Sequence, residues 1–318
     1  MLTIGVDVGG TSVRASVVDA HGRILDTRRA RTPRTGQELN SAIADTVRAL
    51  ADRYPVAAVG LAVAGFVSED RRIVRFAPHL DWRHVPVADE LAARLDVPVL
   101  LEHDANAAAV AEQRLGAAAG AKVAALVAIG TGIGGALVLN GEVFRGAYGV
   151  APELGHLRLV PGGRQCPCGK HGCWERYCSG TALVETATEL LAAHPEETSV
   201  LAAIEPGKLT GVQVAQAAET GDSIAQLAMA DLAKWLGEGL ALVADVYDPE
   251  VVVIAGGVCE SAHLFLGSAR EHYAAAVTGA GHRPLARVRV GRWGDKAGMV
   301  GAAVLAREHV LAGEPHLA

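Results

Sequence analysis

The chain has 318 residues, of which half are hydrophobic and only 4% aromatic, so we expect two domains with cores of Ala, Val and Leu. The net charge of −6 argues against nucleic acid as a partner, because binding a phosphate backbone requires a basic surface. We also expect no membrane association, since no apolar run has the length of a membrane span. The chain begins directly with a predicted strand, and three of its five cysteines cluster in one short loop. We therefore expect a cytoplasmic protein with reduced thiols.

The first half of the chain predicts three strands followed by alternating helices and strands. Apolar runs rich in β-branched residues indicate the strands, and longer amphipathic stretches indicate the helices. The pair Gly9-Gly10 separates the first two strands and indicates a tight turn. In chain order, we predict strands at 2–8, 12–18 and 23–31, a helix at 38–53, a strand at 56–64, a helix at 87–95, a strand at 97–101 and a helix at 105–115.

The second half repeats this pattern. It starts with a strand, a glycine turn and a second strand that ends at Asn140-Gly141, a strong hairpin signal. The predicted elements are strands at 122–129 and 136–139, helices at 181–193, 210–220 and 223–247, a strand at 251–255, a helix at 261–278, a strand at 286–290 and a last helix from Asp295.

The repeat predicts an α/β fold in which two duplicated α/β domains with mixed sheets surround a central cleft. The small-residue stretch 116–121 is the best boundary. We therefore predict an N-terminal α/β domain at 1–117, completed by the C-terminal helix at 296–318. The remaining residues, 118–295, would form a larger α/β domain.

A metal site is predicted where one histidine and three cysteines occur within eighteen residues. The spacing Cys166-x-Cys168-x4-Cys173 directs three thiols toward one point, and His156 lies ten residues before them. Thiolates and an imidazole suit tetrahedral Zn²⁺, and four protein ligands leave no position for water, so such a zinc would be structural. The alternative is three incidental thiols in a glycine-rich turn.

Two glycine hairpins occupy equivalent places in the two halves and predict binding of a polyphosphate. Glycine turns let backbone N–H groups approach anionic oxygens closely. Each hairpin leads into another strand, so neither is a Walker A loop nor a dinucleotide fingerprint. The alternative is an ordinary tight turn. We expect ATP at these residues, with Mg²⁺ held by Asp7 and adenosine near Gly256 and Gly257. The hairpin residues that we predict to bind ATP are Asp7, Gly9, Gly10, Thr11, Gly130, Thr131, Gly132 and Gly134.

Asp104 is the best candidate for a catalytic base. It follows the strand at 97–101 and begins an Ala-rich helix, so its carboxylate would stand at the carboxyl end of a strand. In phosphoryl transfer to an alcohol, such a carboxylate accepts the hydroxyl proton. The alternative is a helix cap. Glu153, His156 and Glu175 lie in or near the predicted zinc loop and would line a polyol site, although Glu153 alone could be a surface charge.

At these motifs the chain resembles the ROK family of bacterial sugar kinases and repressors, and more closely its glucokinase branch. The resemblance runs over nearly the whole chain. It is strongest at Cys166-x-Cys168-Gly-x-x-Gly-Cys173-x-Glu175, and also covers both glycine hairpins, Glu102-x-Asp104-Ala-Asn106 and Glu153-x-Gly-His156. It implies an actin-like ATPase fold, Asp104 as the base, and zinc on His156, Cys166, Cys168 and Cys173. The sugar contacts that it implies are Gly65, His103, Asp104, Glu153, His156 and Glu175.

The resemblance also implies a homodimer or homotetramer, with a small-molecule sugar and ATP as the other partners. The family's repressors carry an N-terminal helix-turn-helix, whereas the first hairpin here begins at residue 7. A non-catalytic, sugar-sensing regulator is therefore the less favoured function. Whether polyphosphate replaces ATP stays open.

Departures from the family pattern concern the sugar. His103 stands where glucokinases usually have asparagine, His79 also stands where asparagine is common, and Pro152 replaces a small residue. The unprotonated nitrogen of a neutral histidine accepts a hydrogen bond, which suits a protonated amino group on the sugar. The family's kanosamine kinases, which act on 3-amino-3-deoxyglucose in antibiotic pathways, fit this change. We predict 6-phosphorylation of such an amino sugar, with ordinary glucokinase activity as the alternative.

Overall fold

The computed structural model describes residues 1–313 and contains two five-stranded mixed sheets with helices. The chain divides into two compact units. The first comprises Met1–Lys122, Ala136–Pro152 and the residues from Gly291 onward, and the second comprises Val123–Gly135 and Glu153–Val290. Residues 314–318 of the predicted final helix lie outside the described residues. The domain limits predicted from the sequence remain a proposal.

The elements up to residue 115 follow the predicted order closely. They are β1 (Leu2–Val8), β2 (Ser12–Val18), β3 (Ile24–Arg31), α1 (Gly36–Ala51), β4 (Val56–Val63), β5 (Phe66–Val67), β6 (Val74–Phe76), β7 (Arg83–Val85), α2 (Val87–Leu95), β8 (Val99–His103) and α3 (Asp104–Leu115). The three short strands β5, β6 and β7 form a separate antiparallel sheet that the sequence did not predict, because two or three residues are too few to show a period.

The remaining strands and α-helices include one long helix of 25 residues. They are β9 (Val123–Ile129), β10 (Ile133–Leu139), β11 (Glu142–Val143), α4 (Gly180–Ala193), α5 (Gly211–Glu219), α6 (Ser223–Tyr247), β12 (Val251–Ala255), α7 (Ala262–Ala276), β13 (Arg287–Val290) and α8 (Ala297–Leu311). Strand β10 starts three residues earlier than predicted, so Gly134 and Gly135 belong to a strand.

The two large sheets share one topology. Their strand orders are β3-β2-β1-β4-β8 and β11-β10-β9-β12-β13. In the first sheet, β1, β2 and β3 are antiparallel neighbours, while β1, β4 and β8 are parallel. In the second, β9, β12 and β13 are parallel. The predicted α/β fold with duplicated mixed sheets is confirmed.

Buried Val, Ile and Leu side chains of the first sheet form a core with α1 and α2 on one face. Helix α8 packs against β1, β4 and α3 in the same unit. Its backbone comes very close to the sheet, because a Cβ on Gly5 or Gly60 would lie 1.8 or 2.0 Å from a carbonyl oxygen of α8. This core fixes the carboxyl ends of β1, β4 and β8, where the candidate catalytic residues lie. Within residues 1–313, no helix combines the length and apolarity needed to cross a bilayer.

Candidate active site

Three parallel strands of the first unit end beside one another and carry the candidate residues of that unit. Val8 of β1 pairs with Val63 of β4, which pairs with His103 of β8. Asp7, the turn at Gly65 and Asp104 therefore stand at the carboxyl edge of the sheet, where α/β folds bind ligands. Gly65 packs closely there, because an added Cβ would lie 2.6 Å from the carbonyl oxygen of Phe76.

Asp7 is held by an arginine that the sequence analysis did not single out. Arg14 lies directly opposite Asp7 in the β1–β2 hairpin, and its Nη2 donates to Asp7 Oδ2 at 2.6 Å. The Arg14 Nη1 donates to Asp295 Oδ2 at 2.6 Å. Burial raises the pKa of Asp7, and the hydrogen bond and charge of Arg14 offset this only in part. The pairing follows from the observed register, in which Val8 faces Val13 across a turn centred between Gly10 and Thr11. The predicted strand bounds alone would have placed residue 13 opposite Asp7.

The first glycine hairpin is a closed turn beside this pair. The Gly9 N–H donates to the carbonyl of Ser12 at 3.1 Å, and the Thr32 hydroxyl donates to the carbonyl of Gly9 at 2.6 Å. The carbonyl of Thr11 accepts from the N–H of Thr32 at 3.1 Å. Gly10 faces His79, since an added Cβ would lie 3.2 Å from the Cβ of that histidine. Two hydrogen bonds from Thr32 therefore hold the backbone of the turn in place.

Asp104 is the first residue of α3, and its carboxylate does not cap the helix. The cap position belongs to His103, which makes no side-chain capping hydrogen bond. Asp104 Oδ1 accepts the N–H of Ala105 at 2.7 Å and lies 3.3 Å from His103 Nε2. The Asp104 side chain is 44% exposed, so the carboxylate is accessible. The side chains of His103 and Asp104 therefore lie side by side.

The second glycine hairpin packs against a candidate sugar-binding carboxylate. The Gly130 N–H donates to the carbonyl of Gly132 at 2.9 Å, with Thr131 at the tip, and the Gly130 carbonyl accepts from Gly180 at 2.7 Å. Glu175 Oε2 accepts the N–H of Ile133 at 3.4 Å. A Cβ on Gly132 would lie 2.4 Å from that oxygen, so only glycine fits there without moving Glu175.

Gly256 and Gly257 follow β12 in the same unit. A Cβ on Gly256 would lie 2.4 Å from the carbonyl of Ile129, at the end of β9, whereas one on Gly257 would meet no atom within 4 Å. The Gly256 backbone therefore packs on the strand that enters the second hairpin. Gly257 is exposed, and its predicted contact with a nucleotide stays a prediction.

The four predicted metal ligands converge in the second unit. The ligand atoms of His156, Cys166, Cys168 and Cys173 all lie within 4.8 Å of one another. His156 Nδ1 is 3.7 Å from Cys166 Sγ, and Cys168 Sγ is 3.6 Å from Cys173 Sγ. A tetrahedral zinc with ordinary bond lengths requires ligand separations of about 3.5–3.8 Å. The donor set therefore fits a four-coordinate zinc ion, and these two separations match it, while the widest, up to 4.8 Å, would shorten by about 1 Å on binding.

Two of these thiols differ in ease of ionisation. Burial raises the pKa of Cys166 well above its ordinary value. For Cys168, slight burial opposes ionisation, but the N–H of Lys170 and the neighbouring thiols outweigh it and lower the pKa. The thiolate is the form that binds metal, and it forms more readily at Cys168 than at Cys166.

The carboxylates of Glu153 and Glu175 lie on either side of the His156 imidazole in the metal cluster. His156 Nδ1 lies 3.6 Å from Glu175 Oε1, and the Cys166 thiol donates to the same oxygen at 3.1 Å. His156 Nε2 lies 3.9 Å from Glu153 Oε2. Metal binding would therefore fix the ring of His156 between two carboxylates. The three residues are brought together, whereas Gly65, His103 and Asp104 belong to the first unit.

Known proteins match the chain over nearly its whole length. The model of the ROK family matches residues 3–309. A glucokinase from Streptomyces coelicolor is 42% identical over 310 residues, which cover 96% of this chain and 98% of that protein. A xylose repressor from Bacillus subtilis is 27% identical over 281 residues, which cover 86% of this chain and 69% of the repressor.

A solved structure supports the same comparison. The ROK family glucokinase from Streptomyces griseus, crystallised in complex with glucose and AMPPNP, is 42% identical and superposes with a TM-score of 0.85. The match covers 97% of this chain and 100% of that chain. The predicted actin-like ATPase fold is thereby confirmed.

Proposed function

The chain belongs to the ROK family, and on that premise we propose that it is an ATP-dependent hexose kinase. It would transfer the γ-phosphate of ATP to the 6-hydroxyl of a gluco-configured hexose. The observation that carries this proposal is the common position of Asp7 and Asp104 at the carboxyl edge of the first sheet. One carboxylate would hold a cation, and the other, which is exposed and next to His103, would accept a proton.

Asp104 would act as the general base. Its accessible carboxylate accepts the proton of the 6-hydroxyl as that oxygen attacks phosphorus, which typically contributes ~10²–10⁴-fold to the rate. The hydrogen bond from Ala105 N to Oδ1 at 2.7 Å orients the group and leaves Oδ2 for the sugar.

The two glycine hairpins would bind the phosphates of ATP. The N–H groups of Gly9 and Gly130 donate within the turns, so the backbone at the exposed tips, Gly10, Thr11 and Thr131, would approach the anionic oxygens. An added Cβ on Gly130 would meet no atom within 4 Å. Mg²⁺, when bound, neutralises charge on the phosphates. The carboxylate of Asp7 would hold it directly or through water, while Arg14 fixes the orientation of that carboxylate. The open backbone at Gly257 would contact the adenosine.

Glu153, His156 and Glu175 would bind sugar hydroxyls, with zinc as a structural centre. Carboxylates accept from hydroxyl donors, and the free ring nitrogen of His156 supplies a further polar group. The zinc would hold His156 and the loop that carries Glu175 in fixed positions. Its proposed role is thus to order the sugar-binding residues, because four protein ligands leave no open coordination position for chemistry.

We further propose that the preferred hexose carries an amino group at C3. His103 Nε2 faces Asp104 Oδ1 at 3.3 Å. A carboxylate oxygen only accepts, so a neutral His103 carries its proton on Nε2 and leaves Nδ1 as an acceptor. Such an acceptor suits an ammonium group. D-glucose is the alternative substrate, and the glucokinase name of the Streptomyces coelicolor relative favours it.

The proposal is tested by the release of ADP with a panel of hexoses and amino-hexoses, each with ATP and Mg²⁺. Phosphorus NMR of the product identifies the phosphorylated oxygen. We expect turnover with gluco-configured sugars and a 6-phosphate product. Sugar binding in calorimetry without any turnover would instead favour the sugar-sensing regulator. Light scattering tests the proposed homodimer or homotetramer.

A further inference from the structure

We propose that the buried Glu102 and the partly exposed Arg145 form an ion pair that positions the catalytic base Asp104. The inference rests on the proposed kinase function and adds to it two residues with no assigned role. Glu102 is the last residue but one of β8, and Arg145 lies two residues beyond β11. They are 43 residues apart in the chain and belong to the same unit.

Glu102 is almost completely buried, and both of its carboxylate oxygens are occupied. The residue is 2% exposed. Oε1 accepts the N–H of His103 at 3.1 Å and the side-chain amide of Asn106 at 2.9 Å. One carboxylate oxygen therefore holds the backbone just before Asp104 and a side chain in the first turn of α3, on both sides of the base.

Arg145 supplies the balancing charge. Its Nε and Nη2 donate to Glu102 Oε2 at 3.0 and 2.5 Å, and its Nη1 donates to the carbonyl of Val143 at 3.3 Å. This fork on a single oxygen leaves Oε1 free to serve His103 and Asn106. A buried carboxylate without a cationic partner is costly, so the two hydrogen bonds from Arg145 stabilise Glu102 at this position.

Asn106 depends on the same carboxylate. It is 2% exposed, and in the described part of the chain its Oδ1 has no hydrogen-bond partner, so the bond to Glu102 fixes its amide. Loss of the Glu102 charge would weaken its two contacts at the junction between β8 and α3, with His103 and Asn106, and its ion pair with Arg145. Asp104, which sits at that junction, would then lose its alignment with the reacting hydroxyl.

The inference predicts a defect in kcat with little change in KM. In Glu102→Gln, the single amide oxygen cannot accept hydrogen bonds from Arg145 and also from His103 and Asn106. The glutamine NH₂ group would then lie against one of these donors. In Arg145→Met, the charge of Glu102 is left unbalanced. Because a misplacement of about 1 Å at a catalytic group costs roughly 10²-fold in rate, we expect kcat to fall by that order in both variants.

Three variants serve as controls and separate positioning from general instability. Glu112→Gln changes another buried glutamate, whose oxygens accept the N–H groups of Ala117 at 2.8 Å and Trp293 at 2.9 Å. It should lower the thermal midpoint and leave kcat unchanged. Arg145→Lys keeps the charge and should recover part of the lost kcat. The double variant Glu102→Gln/Arg145→Met should lose less than the product of the two single losses, since both act on one interaction.

The outcomes separate this inference from the proposed function. Turnover by the wild type, with kcat in Glu102→Gln and Arg145→Met no lower than in Glu112→Gln, overturns the positioning role and leaves the kinase function standing. A loss that appears in KM alone, or that Arg145→Lys does not relieve, also overturns it. Absence of turnover by the wild type with every hexose is a failure of the proposed function itself.

Discussion

Replacing Gly132 by alanine should displace Glu175 with little effect on folding stability. The new Cβ would lie 2.4 Å from Glu175 Oε2, whereas ordinary contact begins at 3.4 Å. The carboxylate must therefore move by about 1 Å, the difference between these distances. It is the end of a flexible side chain, so the movement itself costs little free energy of unfolding. The function should suffer more, because Glu175 also contacts Cys166 and the ring of His156.

A displacement of this size at a substrate-positioning group costs roughly 10²-fold in kcat/KM, which corresponds to about 2.7 kcal/mol. We expect the loss to appear mainly in the KM for the sugar, since Glu175 is proposed to bind a hydroxyl. The assay is steady-state ADP release with the sugar and ATP varied separately. Thermal unfolding of the same preparation monitors stability, which should change little.

Gly130→Ala is the matched control in the same hairpin. Its Cβ would meet no protein atom within 4 Å, so Glu175 keeps its position. The methyl group would instead project toward the proposed phosphate site and should raise the KM for ATP. The reasoning is refuted if Gly132→Ala leaves the KM for the sugar unchanged, or if both variants alter the same kinetic constant.

Three further predictions concern the metal, the pocket and a helix cap. Elemental analysis should find about one zinc per chain, which Cys168→Ser abolishes and Cys259→Ser preserves; fully active protein without zinc would contradict the site. His103→Asn should raise kcat/KM for glucose relative to 3-amino-3-deoxyglucose by roughly 5- to 150-fold, the equivalent of one rearranged hydrogen bond, and an unchanged ratio would leave ordinary glucokinase activity. Asp222 caps α6 by accepting from Ala225 N at 3.0 Å, so Asp222→Ala should lower the free energy of unfolding by about 1 kcal/mol and Asp222→Asn by less. Slight burial opposes ionisation of Asp222, but hydrogen bonds from Ala225, Ser199 and Val200 outweigh it and lower its pKa. This contribution is therefore present above the ordinary pKa of 3.8 and lost as pH falls through the lower folded value. Urea titrations at several pH values measure it, and a difference between wild type and Asp222→Ala that persists in acid would contradict the assignment.

Local pattern explains which parts of the fold were predictable. The glycine turn after Asp7 and the apolar runs on either side define the first hairpin, but not its register, in which Val8 faces Val13 and not Ser12. The spacing of Cys166, Cys168 and Cys173 forces the thiols to converge, so the metal cluster could also be predicted from the sequence. The short strands β5, β6 and β7 carry no periodic signal, and they form because neighbouring chain segments supply their hydrogen-bond partners.

The ion pairs around the candidate catalytic residues could not be predicted from the sequence as easily. No short sequence pattern connects Glu102 with Arg145, because they are 43 residues apart. They are in contact because β11 ends close to the junction of β8 and α3. The same holds for Arg14 and Asp295, 281 residues apart. Side chains that act chemically follow recognisable motifs, whereas those that hold them in place are chosen by tertiary packing.

The central claim is that Asp104 takes the proton from the sugar hydroxyl during phosphoryl transfer. Asp104→Asn preserves the shape of the side chain and removes its basicity, and Asp45→Asn on the exposed face of α1 provides the same substitution as a control. Measuring kcat by ADP release and sugar affinity by calorimetry on both variants tests the claim directly. We predict a fall in kcat of ~10²–10⁴-fold for Asp104→Asn with sugar affinity largely kept, and no change for Asp45→Asn. An Asp104→Asn variant that retains more than about a tenth of the wild-type kcat, far less than the loss expected from removing a general base, would contradict the claim.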